Sequence, residues 1–233
     1  MYISCKNLTF RFLEKEDYVF KDLNFHMTGP GFHALFGHSG TGKSTFAKIL
    51  SSNHFSFSHE ISGNISINPI RKPMYSYNQE RFPKWQTIRT HFNQVIAKSY
   101  LEKVDELVQS FGLHLCYDSR FDQLSQGQQN RANLIRYLLQ DFDMMILDES
   151  LANVDEKNRL QIILHIKKIF PQRMFIYISH NVREIAYYCD QIAILRDVNN
   201  TPQLILLKGH NAFETPVPQD ELERTMLEIV HAS

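Results

Sequence analysis

The sequence lacks an excess of charge of either sign, and it has few cysteines. Its 233 residues carry 25 lysines and arginines against 25 aspartates and glutamates, so the formal net charge is zero. This balance does not indicate a long surface for binding nucleic acid, although it is compatible with a local basic patch. The three cysteines, Cys5, Cys116 and Cys189, are odd in number and widely spaced. They exclude a paired disulfide framework and a local cysteine metal motif, and they are typical of a reducing compartment.

Long apolar runs are missing as well. No stretch approaches the ~20 apolar residues of a membrane-spanning helix, and residues 1–10 contain Lys6 but no apolar core of a signal peptide. If the protein serves a membrane, we therefore expect it to do so through a partner. With 43% apolar residues the chain has an ordinary globular composition, and its length suits one large domain with a well-buried core.

The most informative segment is glycine-rich and spans residues 37–45, G-H-S-G-T-G-K-S-T. It fits the pattern G-x-x-x-x-G-K-S/T of a phosphate-binding loop, and apolar runs on both sides supply the strand and the helix that the pattern needs. Glycines let successive N–H groups converge on an anion, and a helix that starts near Lys43 adds the positive end of its dipole. Lys43 is predicted to reach the β- and γ-phosphates of a nucleotide, and the Ser44 hydroxyl to ligate Mg²⁺. The residues predicted to bind the nucleotide here are Gly37, His38, Ser39, Gly40, Thr41, Gly42, Lys43, Ser44 and Thr45.

Hydrophobic periodicity predicts a β-rich beginning that leads into alternating helices and short buried strands. The predicted strands are 2–12, 18–27, 32–36, 61–67, 74–77, 144–147, 174–178, 191–195 and 203–207. The predicted helices are 85–111, 126–139, 154–170, 182–189 and 219–230, and a further helix is predicted to start near Lys43, where the apolar run 46–50 follows the loop. This order indicates an α/β core of the P-loop type with a helical insertion.

Two carboxylates, Asp148 and Glu149, follow the apolar strand 144–147. A buried parallel strand delivers side chains at its C-terminal edge, where the ligands of such sheets bind. We therefore predict that Asp148 holds Mg²⁺, directly or through water. Glu149 is predicted to be the general base or to orient the attacking water.

A capped helix is predicted to begin after Leu124. Ser125 is suited to be the N-cap, and Gln128 follows three residues later, which is the spacing of a capping box. With Gly127 between them, a small residue, a glycine and a helix N-terminus form an anion site. Without the other motifs, a simple capped helix would be the better interpretation.

The order of these motifs resembles that of the ATP-binding cassette (ABC) ATPases, the nucleotide-hydrolysing subunits of ABC transporters. The segment L-S-Q-G-Q at 124–128 is similar to the family signature L-S-G-G-Q and lies a short helix upstream of Asp148. The resemblance extends from Tyr2 to about Gly209. It implies a single domain in which 1–79 and 141–210 form the ATP-binding core with an antiparallel β subdomain, 80–140 the helical signature subdomain, and 211–233 a C-terminal tail.

Further residues match single positions of the family motifs. Gln79 matches the Q-loop glutamine, which in the family contacts Mg²⁺ and the attacking water. Asp155 matches the D-loop aspartate, and His180 matches the switch histidine that contacts the γ-phosphate. The candidates for the aromatic residue that stacks on adenine are Phe12, which matches best, and the alternatives Phe10 and Tyr18.

Two residues depart from the family pattern. Gln126 replaces the first glycine of the signature pair, and it is expected to crowd the γ-phosphate side of the site at most partially, because Ser125 and Gly127 are kept. Ser150 replaces the proline that usually follows the catalytic glutamate, which removes a φ restraint but no catalytic group. We expect activity to survive both changes.

The resemblance implies a head-to-tail dimer, as a homodimer or with a related subunit, because one subunit of this family cannot complete a site. The phosphate loop, Gln79, Asp148, Glu149 and His180 of one subunit would face the signature of the other across Mg²⁺ and ATP. The implied partners are transmembrane permease subunits and a solute-binding protein, with no nucleic acid expected. The implied location is the cytoplasmic face of the cell membrane.

The first indication of the transported solute is the segment 81–89, R-F-P-K-W-Q-T-I-R. This segment resembles the region after the Q-loop in importer ATPases, with patterns of the oligopeptide/nickel group and of the nitrate/sulfonate group fitting about equally. Residues 178–180 and 188–190 also resemble the oligopeptide/nickel group. An importer of a metal chelate, a peptide or a similar small solute is therefore the preferred interpretation. The alternatives are an exporter or lipoprotein extractor, a soluble ABC protein, and a cassette that regulates without hydrolysis.

Overall fold

The computed structural model describes residues 1–51, 58–70, 72–77, 82–213 and 215–233, apart from the side chains of Tyr77 and Ser99. Contacts divide the chain into two compact units. The first unit contains residues 1–75, 143–146 and 172–233, and the second contains residues 76–142 and 147–171. No described helix combines the length and the hydropathy that crossing a membrane requires.

Strands and helices follow one another in nearly the predicted order. The strands are β1 Tyr2–Phe12, β2 Phe20–Thr28, β3 Gly31–Phe36, β4 His59–Asn68, β5 Pro73–Tyr77, β6 Met144–Asp148, β7 Met174–Ile178, β8 Gln191–Leu195 and β9 Leu204–Lys208. The α-helices are α1 Lys43–Leu50, α2 Ile88–Val95, α3 Leu101–Ser110, α4 Gln126–Leu138, α5 Glu156–Ile169, α6 Val182–Tyr188 and α7 Gln219–Ala232. Short 3₁₀ helices occupy Lys98–Tyr100, His114–Cys116 and Phe121–Gln123.

Three strands form an antiparallel sheet in the order β2-β1-β4. Tyr2 pairs with Thr28 of β2 and with Asn68 of β4. Alternate residues of β1 and β2 are buried on one face, as period-two side-chain alternation requires. This is the antiparallel β subdomain that the resemblance implies.

The second sheet has six strands in the order β5-β6-β7-β3-β8-β9. β3 is parallel to both β7 and β8, with Leu35 opposite Ile178 and Ala193, whereas β8 and β9 are antiparallel. β3 and β7 are buried almost along their whole length, which is typical of a parallel strand covered on both faces. The sheet order places β3, the strand that leads into the phosphate loop, between two parallel neighbours.

Aromatic packing seats α1 in the first unit. Phe46 of α1 meets Phe20 and Phe25 of β2 edge to face, with ring centroids 5.7 and 5.6 Å apart. Such pairs stabilise by about 0.5–1.5 kcal/mol beyond the area they bury. The helix that follows the phosphate loop is therefore held against the antiparallel sheet.

The single helix predicted over 85–111 is wrong, because the structure has two α-helices there. α2 ends at Val95, and the next residue, Ile96, is extended with φ and ψ of −94° and 131°. α3 begins at Leu101 after one 3₁₀ turn. The break leaves Val95 47% exposed while Ile96 is 6% exposed. Ala97 is extended as well, with φ and ψ of −61° and 141°. Two extended residues in a row interrupt the backbone hydrogen bonds that one continuous helix needs.

Candidate functional site

The predicted phosphate loop joins β3 to α1 in the first unit. Gly37, Gly40 and Gly42 have φ angles of 151°, 88° and 96°, in a region that residues with a Cβ seldom adopt. Gly42 is the N-cap of α1, and no side chain caps the helix there. A glycine curl that ends in an uncapped helix start directs backbone N–H donors toward an anion.

Two of these glycines also leave no room for a side chain. A Cβ on Gly37 would overlap the carbonyl oxygen of Leu195, and one on Gly42 would lie 2.6 Å from Cγ1 of Val19. Gly40 has open space around it, so its φ alone favours glycine. The loop is therefore packed so closely against Leu195 and Val19 that positions 37 and 42 favour glycine on steric grounds as well.

Lys43 is folded back over the loop. Its side chain is buried, and Nζ donates to the carbonyl oxygens of Gly37 and His38, both at 2.8 Å. The Thr41 hydroxyl donates to the same His38 carbonyl at 3.0 Å. The ammonium group thus lies beside the curl that directs N–H donors outward, which is where a phosphate would need a positive charge.

The remaining loop residues lie at or near the surface. His38, Ser39 and Ser44 are exposed, whereas Thr45 is half-buried. Ser44 is the second residue of α1, so its hydroxyl belongs to the first turn of the helix. This placement is compatible with the role predicted for it toward Mg²⁺.

The three aromatic candidates for adenine stacking differ in exposure. Phe10 is completely buried and packs edge to face on Phe12, with centroids 5.0 Å apart. Phe12, the last residue of β1, is half-buried, and Tyr18 is 40% exposed with the Arg11 guanidinium 5.5 Å from its ring centroid. Burial removes Phe10 as a stacking surface, and Phe12 and Tyr18 keep an accessible ring.

His180 is exposed in a hydrogen-bonded turn between β7 and α6. The Asn181 side chain caps α6 by accepting from the Glu184 N–H at 3.1 Å. The Ser179 hydroxyl accepts from the Asn181 N–H at 3.2 Å and donates to the Glu184 carboxylate at 3.1 Å. The Tyr177 hydroxyl donates to the same carboxylate at 2.8 Å. These bonds fix the backbone on both sides of His180.

In the second unit, the acidic pair lies at the end of β6. Asp148 is the last residue of the strand and is half-buried, and Glu149 is exposed with a φ of 51°. Ser150, which stands where the resemblance expects proline, is 1% exposed and donates from Oγ to Oγ of Ser76 at 3.0 Å. The position of the missing proline is therefore occupied by a buried hydrogen-bonded hydroxyl.

The capping box predicted at the start of α4 is confirmed. Ser125 is the N-cap; its Oγ accepts from the Gln128 N–H at 3.3 Å, and the Gln128 side-chain oxygen accepts from the Ser125 N–H at 2.8 Å. A Cβ on Gly127 would overlap the carbonyl oxygen of Asn153, so the helix start lies directly against the segment before Asp155. Gln126 is exposed.

Asp155 has a structural role within its own unit. It is the N-cap of α5, where its carboxylate accepts from the Asn158 N–H at 3.0 Å and from the Asn158 side-chain amide at 2.6 Å. These hydrogen bonds, the backbone one first, hold the pKa of Asp155 below its ordinary value. The carboxylate is therefore ionised near neutral pH.

The predicted site residues divide between the two units. The first unit contains the loop 37–45, Phe12 and His180, and the second contains Asp148, Glu149, the signature at 124–128 and Asp155. Gln79 lies outside the described residues. In the part of the chain that the structure describes, no three His, Cys, Asp or Glu residues are arranged to hold a metal ion.

A sequence model of the protein family described as ABC transporter matches residues 20–152, more than half of the chain. The chain belongs to this family. The match contains the phosphate loop, the signature and the acidic pair, and it confirms the family predicted from their order. The oligopeptide/nickel group stays a prediction.

Several curated proteins are related to this ABC chain. One from Mycoplasma pneumoniae, provisionally named ABC transporter ATP-binding protein, is 29% identical over 201 residues, 78% of this chain and 60% of the relative. The molybdenum import ATP-binding protein ModC of Brucella melitensis is 28% identical over 182 residues, 71% of this chain and 50% of the relative. The chain thus spans about half of the length of the curated relatives it matches.

Solved structures resemble this ABC chain along nearly its whole length. A dimeric ATP-binding cassette in a post-hydrolysis state with ADP and phosphate has a TM-score of 0.70 at 19% identity, covering 91% of this chain and 100% of that one. A bacterial Atm1-family ABC exporter with ATP bound has a TM-score of 0.70 at 20% identity, covering 99% of this chain and 41% of that one. At such identities the likeness shows the fold, and it confirms the predicted α/β class.

Sequence reasoning missed the polar residues that support the site of this ABC chain. Glu184 is 3% exposed, and its carboxylate accepts hydrogen bonds from two hydroxyl groups near His180 in the sequence. The only local signal for it is the spacing of Asn181 and Glu184, which is suited to a helix cap. Ser76 gave no signal, because its partner Ser150 lies 74 positions away along the chain.

Proposed function

We propose that this chain is an ATP-binding and ATP-hydrolysing subunit that powers the movement of a small solute across a membrane through permease partners. The observation that carries the proposal is the phosphate loop, in which three glycines with positive φ lead into an uncapped helix and Lys43 lies over the curl. Family membership supports the same reading.

In this proposal the loop binds the triphosphate. Backbone N–H groups of residues 37–45 would donate hydrogen bonds to the β- and γ-phosphate oxygens, and Lys43 would exchange its carbonyl contacts for contacts with these oxygens. Phe12 would stack on the adenine, with Tyr18 as the alternative. His180 would contact the γ-phosphate from its rigid turn.

Mg²⁺ is the metal ion proposed here, because each residue predicted to bind it offers an oxygen ligand. The Ser44 hydroxyl, the Asp148 carboxylate and the Gln79 amide offer oxygen ligands, which is the chemistry that Mg²⁺ prefers, with substrate phosphates and water completing its shell. When bound, Mg²⁺ neutralises charge on the phosphates. Ser44 and Asp148 are the described residues that would hold it.

Glu149 would take the proton of the attacking water. A positioned carboxylate base contributes about 10²–10⁴-fold to such a step. Because Glu149 is exposed, it is accessible to a water that approaches the end of β6. Gln79 would help to orient that water, as the resemblance implies.

The second half of the proposal is a head-to-tail dimer with permease subunits and a solute-binding protein. Ser125, Gly127 and Gln128 of one copy would clamp the γ-phosphate bound to the other, with Asp155 beside them. The molybdenum import names of several relatives support an importer, with a metal chelate, a peptide or a similar small solute as its cargo. Peripheral attachment to the cytoplasmic face of a membrane follows from such a permease.

The test compares Lys43→Ala with Lys48→Ala, a control that removes the same charge from the last turn of the same helix. Titration with a fluorescent ATP analogue and measurement of phosphate release are done with the purified chain and Mg²⁺. We expect Lys43→Ala to lose binding and hydrolysis, and Lys48→Ala to keep both. If Lys43→Ala binds and hydrolyses ATP like the wild type, the proposal is wrong.

Co-purification with a polytopic membrane protein tests the transport role.

A further inference from the structure

The turn after β6 holds a residue that is predicted to be catalytic in an unfavourable backbone conformation. Glu149 has a φ of 51°, in the left-handed region, although it is not glycine. Residues in this region persist only where the surroundings hold them, and they cluster at functional sites. The contacts around Glu149 should therefore include a specific restraint.

The next residue makes such a contact. Ser150 Oγ donates to Oγ of Ser76 at 3.0 Å and lies 3.4 Å from the Ser76 carbonyl oxygen. Both serines are 1% exposed. A buried hydroxyl that loses its partner carries a desolvation penalty, so this pair resists separation. The hydroxyl pair ties Ser150, the residue after Glu149, to Ser76 of β5, which lies three positions before Gln79 in the sequence.

The far side of the same turn is fixed by its own backbone. The Ala152 N–H donates to the Glu149 carbonyl at 2.9 Å, and the Val154 N–H donates to the Leu151 carbonyl at 3.2 Å. Leu151 is fully buried between them. These bonds hold the turn closed, but they do not attach it to β5. In the part of the turn described, Ser150 provides that attachment.

We propose that Ser150 and Ser76 are positioning residues, whose hydroxyl pair sets the direction in which the Glu149 carboxylate leaves β6. The proposal rests on the proposed ATPase function. A proline ring at position 150 would fix φ of that residue and also restrict the backbone of Glu149 before it, whereas the serine hydroxyl anchors the turn to a neighbouring strand. The serine thus supplies a restraint of a different kind at the position where the family resemblance expects proline.

A purely structural role predicts a different outcome. If the pair only fills the interior, replacing either serine with alanine lowers stability and leaves turnover of the folded protein unchanged. If the pair positions Glu149, the variants bind ATP normally and turn it over more slowly. The split between kcat and KM distinguishes the two roles, because a misplaced base affects the chemical step and not substrate binding.

The experiment measures kcat and KM for ATP of Ser150→Ala, Ser76→Ala and the double variant. Ser110→Ala is the matched control, because its hydroxyl donates to its own helix, to Glu106 at 2.9 Å. We expect kcat to fall about tenfold in each single variant with KM within about twofold, and the double variant to be no slower than Ser150→Ala, as is usual for residues that act as a unit. Ser110→Ala should match the wild type.

A second readout does not depend on activity. Amide hydrogen exchange of Ala152 should be faster in Ser150→Ala than in the wild type if the turn is held by the pair. A folded Ser150→Ala with wild-type kcat overturns this inference and leaves the ATPase proposal intact. The same conclusion follows if the factor by which kcat falls in the double variant is the product of the factors in the two single variants. A wild-type chain that does not hydrolyse ATP overturns both.

Discussion

The phosphate loop and the turn after β6 both place residues at positive φ, and they do so by different means. In the loop, glycines adopt these angles and neighbouring strands fill the space that a Cβ would need, as Leu195 does at Gly37. In the turn, Glu149 adopts φ of 51°, and the adjacent Ser150 is held by Ser76. A site built from backbone groups constrains its own residue types, whereas a site held by side chains permits substitutions where another contact compensates. Ser150, one of the two departures from the family pattern, lies in the second kind of region.

The largest effect is expected at Glu149. In Glu149→Gln the base is lost while the side-chain size is kept, so kcat should fall by about 10²–10⁴-fold and an ATP-bound dimer should accumulate. Phosphate release and size-exclusion chromatography with Mg²⁺ and ATP measure the two effects. Glu156→Gln, in the exposed first turn of α5, is the control and should behave as wild type. Wild-type turnover by Glu149→Gln would show that the base is assigned wrongly.

Gly37→Ala compared with Gly29→Ala separates steric overlap from backbone strain. Both glycines have positive φ, 151° and 87°, but a Cβ on Gly29 meets nothing within 4 Å. We expect Gly29→Ala to lower the free energy of unfolding by about 1–2 kcal/mol, and Gly37→Ala to lower it by about 1–3 kcal/mol more and to abolish nucleotide binding. Urea unfolding and ATP titration measure both. Equal losses would mean that Leu195 can move aside.

The stability of the first unit should depend on pH through His33. This residue of β3 is completely buried, and burial holds its pKa below the ordinary value. The nearby charge of Asp190 and the hydrogen bond with the Gly29 carbonyl act in the other direction. Below pH about 6.5 the unfolded chain gains a proton that folded His33 does not. The free energy of unfolding should therefore be highest above that pH and decrease as the pH falls.

Urea unfolding of the wild type and of His33→Gln from pH 8 to pH 5 measures this effect. His26→Gln, which replaces an exposed histidine of β2, is the control and should keep the wild-type slope. A slope that is unchanged in His33→Gln would assign the pH dependence to other groups.

The smallest effect is expected at Gln126. Gln126→Gly restores the family glycine at an exposed helix position, so the free energy of unfolding should decrease by at most about 0.5–1 kcal/mol and turnover should change little. Gly127→Ala is the contrasting variant, because its Cβ would overlap the Asn153 carbonyl oxygen. It should displace the segment before Asp155 and slow turnover markedly. Similar turnover in the two variants would contradict the tolerance inferred for this region.

Features that depend on neighbours along the chain were predictable. Strand and helix types follow from residue periodicity, and the capping box at Ser125 and Gln128 follows from a spacing of three residues. The phosphate loop belongs to the same class, because its glycines encode the backbone angles themselves. These features carried the family prediction, and the family match bears it out.

Features that depend on distant residues were not predictable from the pattern. The helix predicted over 85–111 is interrupted by the extended residues Ile96 and Ala97. The Ser76–Ser150 and Gly127–Asn153 approaches join segments that only folding brings together. Local periodicity carries no information about such partners, because short-range spacing reports which side of a helix or strand is apolar and not what packs against it. Amino-acid order was therefore enough to identify the family and to indicate the candidate chemistry. How the side chain of each candidate is held depended on long-range packing and on the hydrogen bonds that buried polar groups must find.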